Sequence, residues 1–387
     1  IGRNMILTQC AVCATELGLS LGKKCGRCST RYCGPECQVQ HWKEGGHDKL
    51  CKTIKKAGGA EQYNANTKYA EAVAVAAEKC ADDTKGQTCY ICTQALHWKT
   101  KEGLVRMCAC RGTAGFAHVS CLAEQAKILC DEVEANNLGK KVRIERFARW
   151  YACSLCEQDY HGVVKCALGW ACWKTYVGRS DECLLHAIRM LGNGLLHEHH
   201  FVEALSVQEA ELAIHRRIGA SEYNMLAVQC NIATSYEALG RHEEAMSLQR
   251  DVYSGCVRLL GEEHGKTLLV ANNYAESLIS LERFEEAKVL LHKTIPVARR
   301  VLGENHDLPL GMRSMYAQAL CRDTAATLGD LREAVTTYEE IERTARRVLG
   351  GAHPIARKIG QDLQNARAAL RARETTCETP PTTKSQN

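Results

Sequence analysis

The sequence predicts a mostly α-helical protein in which two small metal-held finger modules precede a solenoid of helical hairpins. Three observations carry this. Sixteen cysteines and histidines fall into two octets within the first 156 residues. A motif pattern with a step near 42 residues runs through the second half. No apolar run reaches the ~18–20 residues that a membrane span requires.

The first octet is Cys10-x2-Cys13, Cys25-x2-Cys28, Cys33-x3-Cys37 and His47-x3-Cys51. The second is Cys89-x2-Cys92, Cys108-x-Cys110, His118-x2-Cys121 and Cys153-x2-Cys156. Four cysteines, or three cysteines and a histidine, make the closed tetrahedral set of a structural Zn2+. The octets therefore predict four Zn2+, all structural, with no open position for substrate or activated water. Of the 23 cysteines, 14 have this ligand spacing, which points to a reducing compartment, cytoplasm or nucleus.

The formal charge of +5 is misleading, because metal-bound thiols are deprotonated. Fourteen thiolates and four divalent ions together contribute −6, so the loaded chain sits near −1. A basic pI is then no argument for a nucleic-acid partner. Lys23, Lys24, Arg27 and Arg31 in the first module, followed by Lys49, Lys52, Lys55 and Lys56, read as a solvated basic face.

In the first module, Tyr32-Cys33, Cys37-Gln38, His41-Trp42 and the closing His-x3-Cys complete a pattern that resembles the MYND zinc finger over residues 10–51. The resemblance implies interleaved sites, with Cys10, Cys13, Cys33 and Cys37 on one metal and Cys25, Cys28, His47 and Cys51 on the other. A segment this short cannot bury a sufficient core, so metal supplies much of its folding free energy. The insert Lys43-Glu44-Gly45-Gly46 is longer than the family pattern, which raises His41 as a rival ligand. His47 and Cys51 are four apart on one helical face, whereas His41 lies ~15 Å along a helix from Cys51, so His47 is preferred. The Gly45-Gly46 pair is expected to loosen the turn before it.

Residues 57–88 read as a helical linker. The second module, 89–156, has a ligand order shared by PHD and RING-CH fingers. Cys110-Arg-Gly-Thr113 followed by His118-Val-Ser-Cys121-Leu122 resembles RING-CH; a PHD-like histone-tail reader stays as an alternative. Cross-bracing in such fingers implies Cys89, Cys92, His118 and Cys121 on one metal and Cys108, Cys110, Cys153 and Cys156 on the other. Ile91, with Leu122, stands where RING fingers hold a ubiquitin-conjugating enzyme, but Gln125 replaces the usual Trp. An inserted helix is expected over 122–149, and a linker helix over 157–182.

The second half repeats. Leu260-Gly-Glu-x-His264 recurs as Leu302-Gly-Glu-x-His306, with Leu349-Gly350 and His353 following. Ala204, Ala245, Ala287 and Ala334 keep nearly the same step. Asn231-Ile-Ala233, Asn273-Tyr-Ala275 and Met315-Tyr-Ala317 mark a second helix. A fixed period near 40 signals stacked helix pairs. The pattern resembles the tetratricopeptide repeats of kinesin light chains over 183–374, as hairpins at 183–219, 223–261, 266–303 and 308–350 and a last helix from Pro354. Each hairpin buries its apolar face on its neighbour and leaves a concave groove. The resemblance makes that groove a peptide site, with Asn231 and Asn273 as amides that could hold an extended backbone. His197-Glu198-His199-His200 reads as a turn rather than a metal site, Cys80 as a residue outside the finger's ligand set, and Cys166, Cys172, Cys183, Cys230, Cys256 and Cys321 as small buried hydrophobes. The tail, 375–387, is expected to be disordered.

Two functions follow: a zinc-binding interaction adaptor that holds peptides through its groove and fingers, or a soluble RING-CH-type ubiquitin ligase whose repeats select the substrate. SET-and-MYND methyltransferases also join this finger to helical repeats, but no Asn-His-x-Cys-type motif occurs here. Nor is there a phosphate loop or a nucleophile elbow, and no catalytic residue is assigned.

Overall fold

The computed structural model describes residues 10–15, 17, 22–179 and 182–378. The chain divides into two compact units, Ile1–Ala220 and Ser221–Asn387.

In the first unit a two-stranded antiparallel hairpin, β1 (Lys23–Lys24) and β2 (Arg31–Tyr32), holds the turn that carries Cys25 and Cys28. Helices α1 (Pro35–Lys43) and α2 (His47–Lys56) follow. Between them the glycine pair makes a tight turn rather than a loose one. Gly46 takes φ +71°, and a Cβ on Gly45 would lie 2.3 Å from His41 Cδ2. Only glycine fits both positions. Arg31 departs from the expected solvated face: it is 4% exposed and donates to Leu17 O at 3.2 Å.

The expected linker 57–88 is α3 (Ala60–Lys79) with a short α4 (Ala81–Thr84). Cys80 at their junction is buried in the core beside Val73 and Ala76, apart from the ligand groups. The insertion is two helices, α5 (Val119–Ala135) and α6 (Lys140–Phe147), rather than one over 122–149. The break falls where Asn137 takes φ +48° and Leu138 N donates to Val133 O, a conformation Asn tolerates better than other non-glycine residues. A 3-10 turn, Ala148–Trp150, leads back to the finger.

Within 157–182 lies α7 (Gly162–Tyr176), and it is a core helix instead of a linker. Its Val164, Ala167, Leu168, Trp170 and Cys172 are all buried, which is the signature of a helix packed on every side. It contacts α3, α5 and α8 (Glu182–His197), which packs in turn on α9 (Phe201–Arg217), the pair expected as the first repeat hairpin. Gly169 of α7 lies against the α8 backbone at Met190 and Leu191, and Gly194 of α8 against the α7 backbone at Lys165 and Cys166. His197 is the last residue of α8, and Glu198 to His200 form the turn to α9.

The second unit stacks α10 (Glu222–Ala238), α11 (His242–Leu260), α12 (Gly265–Ser280), α13 (Phe284–Leu302), α14 (Asp307–Arg322), α15 (Leu328–Val348) and α16 (Pro354–Glu378). Each helix packs on the next, and α10, α12, α14 and α16 also touch in series as one layer. The Leu-Gly-Glu-x-His motif is a helix stop followed by a helix start. Gly261, Gly303 and Gly350 take φ +84°, +88° and +89°, positive values that glycine adopts without the steric cost of a Cβ. Three residues on, His264 and His306 cap α12 and α14 by accepting the backbone N–H of Lys266 and Leu308, each at 3.1 Å. His353 does the same for Ile355 at 3.3 Å. Ala245, Ala287 and Ala334 are fully buried at the crossings. Helix α16 runs to Glu378, past the start of the expected tail; residues 379–387 lie outside the described residues.

Candidate metal centres and partner surfaces

The CxxC pairs owe their geometry to one repeated turn. In each, the first cysteine N–H donates to the carbonyl five residues on, and the residue four on donates back to that cysteine's carbonyl. Cys10 with Thr15 and Ala14, Cys25 with Thr30 and Ser29, Cys89 with Gln94 and Thr93, and Cys153 with Gln158 and Glu157 all follow it, at 2.8–3.1 Å. The fourth residue is left-handed every time, with φ between +57° and +62°. The turn aims two sulfurs at one point.

The sixteen sequence-selected residues come together in four groups: Cys10, Cys13, Cys33, Cys37; Cys25, Cys28, His47, Cys51; Cys89, Cys92, His118, Cys121; and Cys108, Cys110, Cys153, Cys156. Within each group the donor atoms lie within 4.8 Å of one another. Tetrahedral Zn–S bonds of ~2.3 Å place two sulfurs ~3.8 Å apart. Observed separations are 3.4 Å for Cys13–Cys33, 3.7 Å for Cys37–Cys13, and 3.8 Å for both Cys25–Cys51 and Cys110–Cys153. The histidines present different atoms. His47 Nε2 lies 3.4 Å from Cys28 Sγ, while His118 offers Nδ1, 3.4 Å from Cys92 Sγ and 3.6 Å from Cys121 Sγ. These donor sets are suited to structural zinc.

His41 is excluded from the groups. Its Nδ1 pairs with the Tyr32 hydroxyl at 3.1 Å, and its ring lies 4.9 Å from that of His47. It supports the ligand ring from outside the tetrad.

Proton affinities within the groups diverge in the way crowded thiols require. Hydrogen bonding to Thr15 draws the Cys13 thiol down to about 6, while the bond to Cys33 pushes Cys37 up to about 12. The bond to Cys108 lowers Cys153 to about 4, and burial drives Cys110 up to about 12. Four adjacent thiolates repel one another; a divalent cation at their centre removes that conflict. Outside the groups burial alone dominates, raising Cys166 to about 12 and Cys321 to about 11. Those thiols are packing groups.

Sequence reading missed the supports around the tetrads. Thr15 Oγ1 lies 3.0 Å from Cys13 Sγ and Thr30 Oγ1 3.1 Å from Cys28 Sγ. His118 Nε2 lies 3.3 Å from Ala95 O, the outer-shell contact that fixes a ligand imidazole. Glu102 accepts from both the Ser120 N–H at 2.7 Å and its hydroxyl at 2.8 Å, between ligands His118 and Cys121. The CxxC spacing carries no sign of Glu102.

The four partner-binding candidates fare differently. Ile91 is 36% exposed at the tip of its turn. The Tyr90 hydroxyl bonds Ser154 Oγ at 3.1 Å, which ties this turn to the one bearing exposed Leu155. Leu122 is only 4% exposed, packed with Val119 and Leu168, so it cannot wall a docking groove: helix α5 turns it into the core. Asn231 and Asn273 are both half-buried on α10 and α12. Asn273 Nδ2 already donates to Cys230 Sγ at 3.5 Å. Beside it, Asn272 Oδ1 is buried without a hydrogen-bond partner, a feature the repeat pattern did not single out. Leu269, Asn272, Asn273 and Glu276 occupy one ~100° arc of α12 at 3.6 residues per turn. Leu269 is 41% exposed there, and burial raises the Glu276 carboxyl above its usual range, with Lys358 opposing.

Two family models match parts of the chain. The MYND finger model matches residues 10–51, and the tetratricopeptide repeat model matches 225–265 and 267–307. No curated protein matches the chain. Two solved structures of a kinesin light chain from Podosopora anserina, with nearly identical TPR-like repeats, are 24% identical. Each covers 50% of this chain and 90% of its own, with a TM-score of 0.41. BtubC (BKLC) from P. vanneervenii is 15% identical over 70% of this chain and 96% of its own, at a TM-score of 0.33. The protein thus joins a MYND finger and further zinc-type cysteine clusters to tetratricopeptide repeats, a combination of metal-held modules with protein-interaction repeats. No helix among the described residues is long and apolar enough to cross a membrane.

Proposed function

We propose that this protein is a non-catalytic adaptor: four closed Zn2+ sites hold its finger modules, and the repeat layer of α10, α12, α14 and α16 receives an extended peptide from a protein partner. The exposed Leu269 flanked by Asn272, Asn273 and Glu276 on one face of α12 carries this reading. An apolar contact between amides and a carboxylate suits a peptide backbone with an apolar side chain and a cationic neighbour. All four donors of every tetrad come from protein, so the ligand sets leave no coordination position for chemistry.

The test is selection of a displayed peptide library on the full-length chain, followed by titration of a selected peptide against Leu269→Glu. Loss of binding in that variant supports the groove. Unchanged binding, or binding abolished by finger substitutions alone, removes it.

A second reading rests on Ile91, which is exposed on a turn bonded to the one carrying Leu155. Two apolar tips on adjacent metal-held turns could grip a ubiquitin-conjugating enzyme. Half-buried Gln125 and buried Leu122 leave that grip thin. Discharge of ubiquitin from a panel of loaded conjugating enzymes separates the readings: sustained discharge that depends on Ile91 favours the ligase.

A further inference from the structure

Residues 97–102 repeat the ligand-bearing turn without its cysteines. His97 N–H donates to Glu102 O at 3.0 Å and Lys101 N–H to His97 O at 2.9 Å. Lys101 is left-handed, φ +60°. This is the bond pattern and backbone of the four CxxC turns, with His97 and Thr100 at the two ligand positions. The side chains keep the correspondence. In two metal turns a threonine five residues after the first ligand touches the second ligand sulfur, Thr15 on Cys13 and Thr30 on Cys28. Here Glu102, at that same fifth position, accepts from Thr100 Oγ1 at 3.0 Å. Where a metal would join the two ligand positions, His97 Nδ1 meets Thr100 N–H at 3.1 Å and Thr100 Oγ1 at 2.8 Å. His97, Thr100 and Glu102 belong to none of the four-donor groups.

The turn also reaches the neighbouring metal site. Glu102 fixes the backbone and hydroxyl of Ser120, which stands between His118 and Cys121. Tyr69 bonds the same hydroxyl at 2.9 Å. The buried His97 ring lies edge-on to the His118 ring, with centroids 5.3 Å apart.

We infer that residues 97–102 form a fifth knuckle, closed by hydrogen bonds instead of zinc, and that His97, Thr100 and Glu102 are positioning residues that hold His118 and Cys121 ready for their metal. The inference rests on the zinc reading of that tetrad. Holding two of four ligands in place before binding lowers the ordering cost of capture. Outer-shell partners of metal ligands typically contribute about ten- to a hundredfold in affinity. A knuckle without metal keeps its shape when zinc leaves.

The experiment is peptide-resolved hydrogen exchange on the full-length protein with and without excess chelator, together with zinc competition against a chromophoric chelator. On chelation, the amides of His97 and Lys101 should stay protected while those of Cys89, Thr93, Cys153 and Glu157 lose protection. Thr100→Val should weaken one zinc of the chain about tenfold, and Thr100→Ser should restore it. Equal loss of protection in all five turns overturns the metal-free knuckle. Unchanged zinc affinity in Thr100→Val overturns the positioning role. If the parent binds no zinc at His118, the zinc reading itself fails, and total metal content of the unsubstituted protein reports that separately.

Discussion

Replacing Gly194 with alanine tests how closely α7 is packed on α8. A Cβ at this position would sit 2.9 Å from Cys166 Cα and 3.0 Å from Lys165 O. At Gly169 it would lie 2.8 Å from Met190 O and 3.2 Å from Leu191 Cα. Carbon contacts are comfortable at about 3.5–4.0 Å, so α7 and α8 must part by roughly half an ångström or more. The opposing atoms are backbone and cannot rotate aside. Overpacking of this kind costs about 1–3 kcal/mol, and a radial gap of 0.5–1 Å forfeits about a quarter to a half of each dispersion contact it opens. Against this, alanine improves helix propensity by about 1 kcal/mol. The expected net is a loss of about 1–2 kcal/mol for Gly194→Ala. The two glycines lie about one turn apart on the same antiparallel crossing, so separation forced by one makes room for the other. Gly169→Ala/Gly194→Ala should therefore cost less than the sum of its parts. Gly192→Ala is the control: its Cβ meets only the side chains of Gln208 and Val207, at 3.3 and 3.4 Å, and should be neutral or stabilising. Urea unfolding followed by tryptophan fluorescence reads this core through buried Trp150, Trp170 and Trp173. A Gly194→Ala protein as stable as its parent, or an additive double variant, refutes the close crossing.

Three further outcomes are expected. Cys25→Ser should release metal from the first module and unfold it, while far-ultraviolet circular dichroism keeps the signal of the repeats, which are stabilised by contacts between neighbours. Substituting Asn231 and Asn273 together by alanine should weaken a groove peptide by about 1–3 kcal/mol, the cost of leaving buried peptide groups unpaired; calorimetry reads this, and no change removes both residues from the site. Any ubiquitin discharge should be abolished in Ile91→Ala and should rise in Gln125→Trp, since a missing aromatic anchor at a small interface costs about 2 kcal/mol, roughly thirtyfold in affinity; robust activity in Ile91→Ala moves the docking site elsewhere.

The sequence was most legible where one bond or one turn depends on one residue type. Ligand spacing reported the two octets because a CxxC turn leaves two sulfurs on one side, and the resemblance to interleaved fingers implied the four tetrads. The repeat period reported the hairpins, since Gly261, Gly303 and Gly350 are needed at positive-φ positions and the histidines after them cap the next helix. What escaped was set by tertiary packing. Helix α7 looks like a connector until α3, α5 and α8 are seen to surround it. Leu122 looks available until α5 turns it inward. The Asn137 break was hidden inside a helical pattern that changes direction without proline. The 97–102 turn was invisible because hydrogen bonds, which have no spacing rule as strict as metal coordination, close it.

Zinc bound in four closed sites should build the modules that accompany the repeats. Native mass spectrometry of the full-length protein, purified without chelator, measures this directly. The mass should exceed that of the bare chain by four zinc ions, less the protons displaced from the ligand thiols. Two or fewer zinc ions per chain would contradict it.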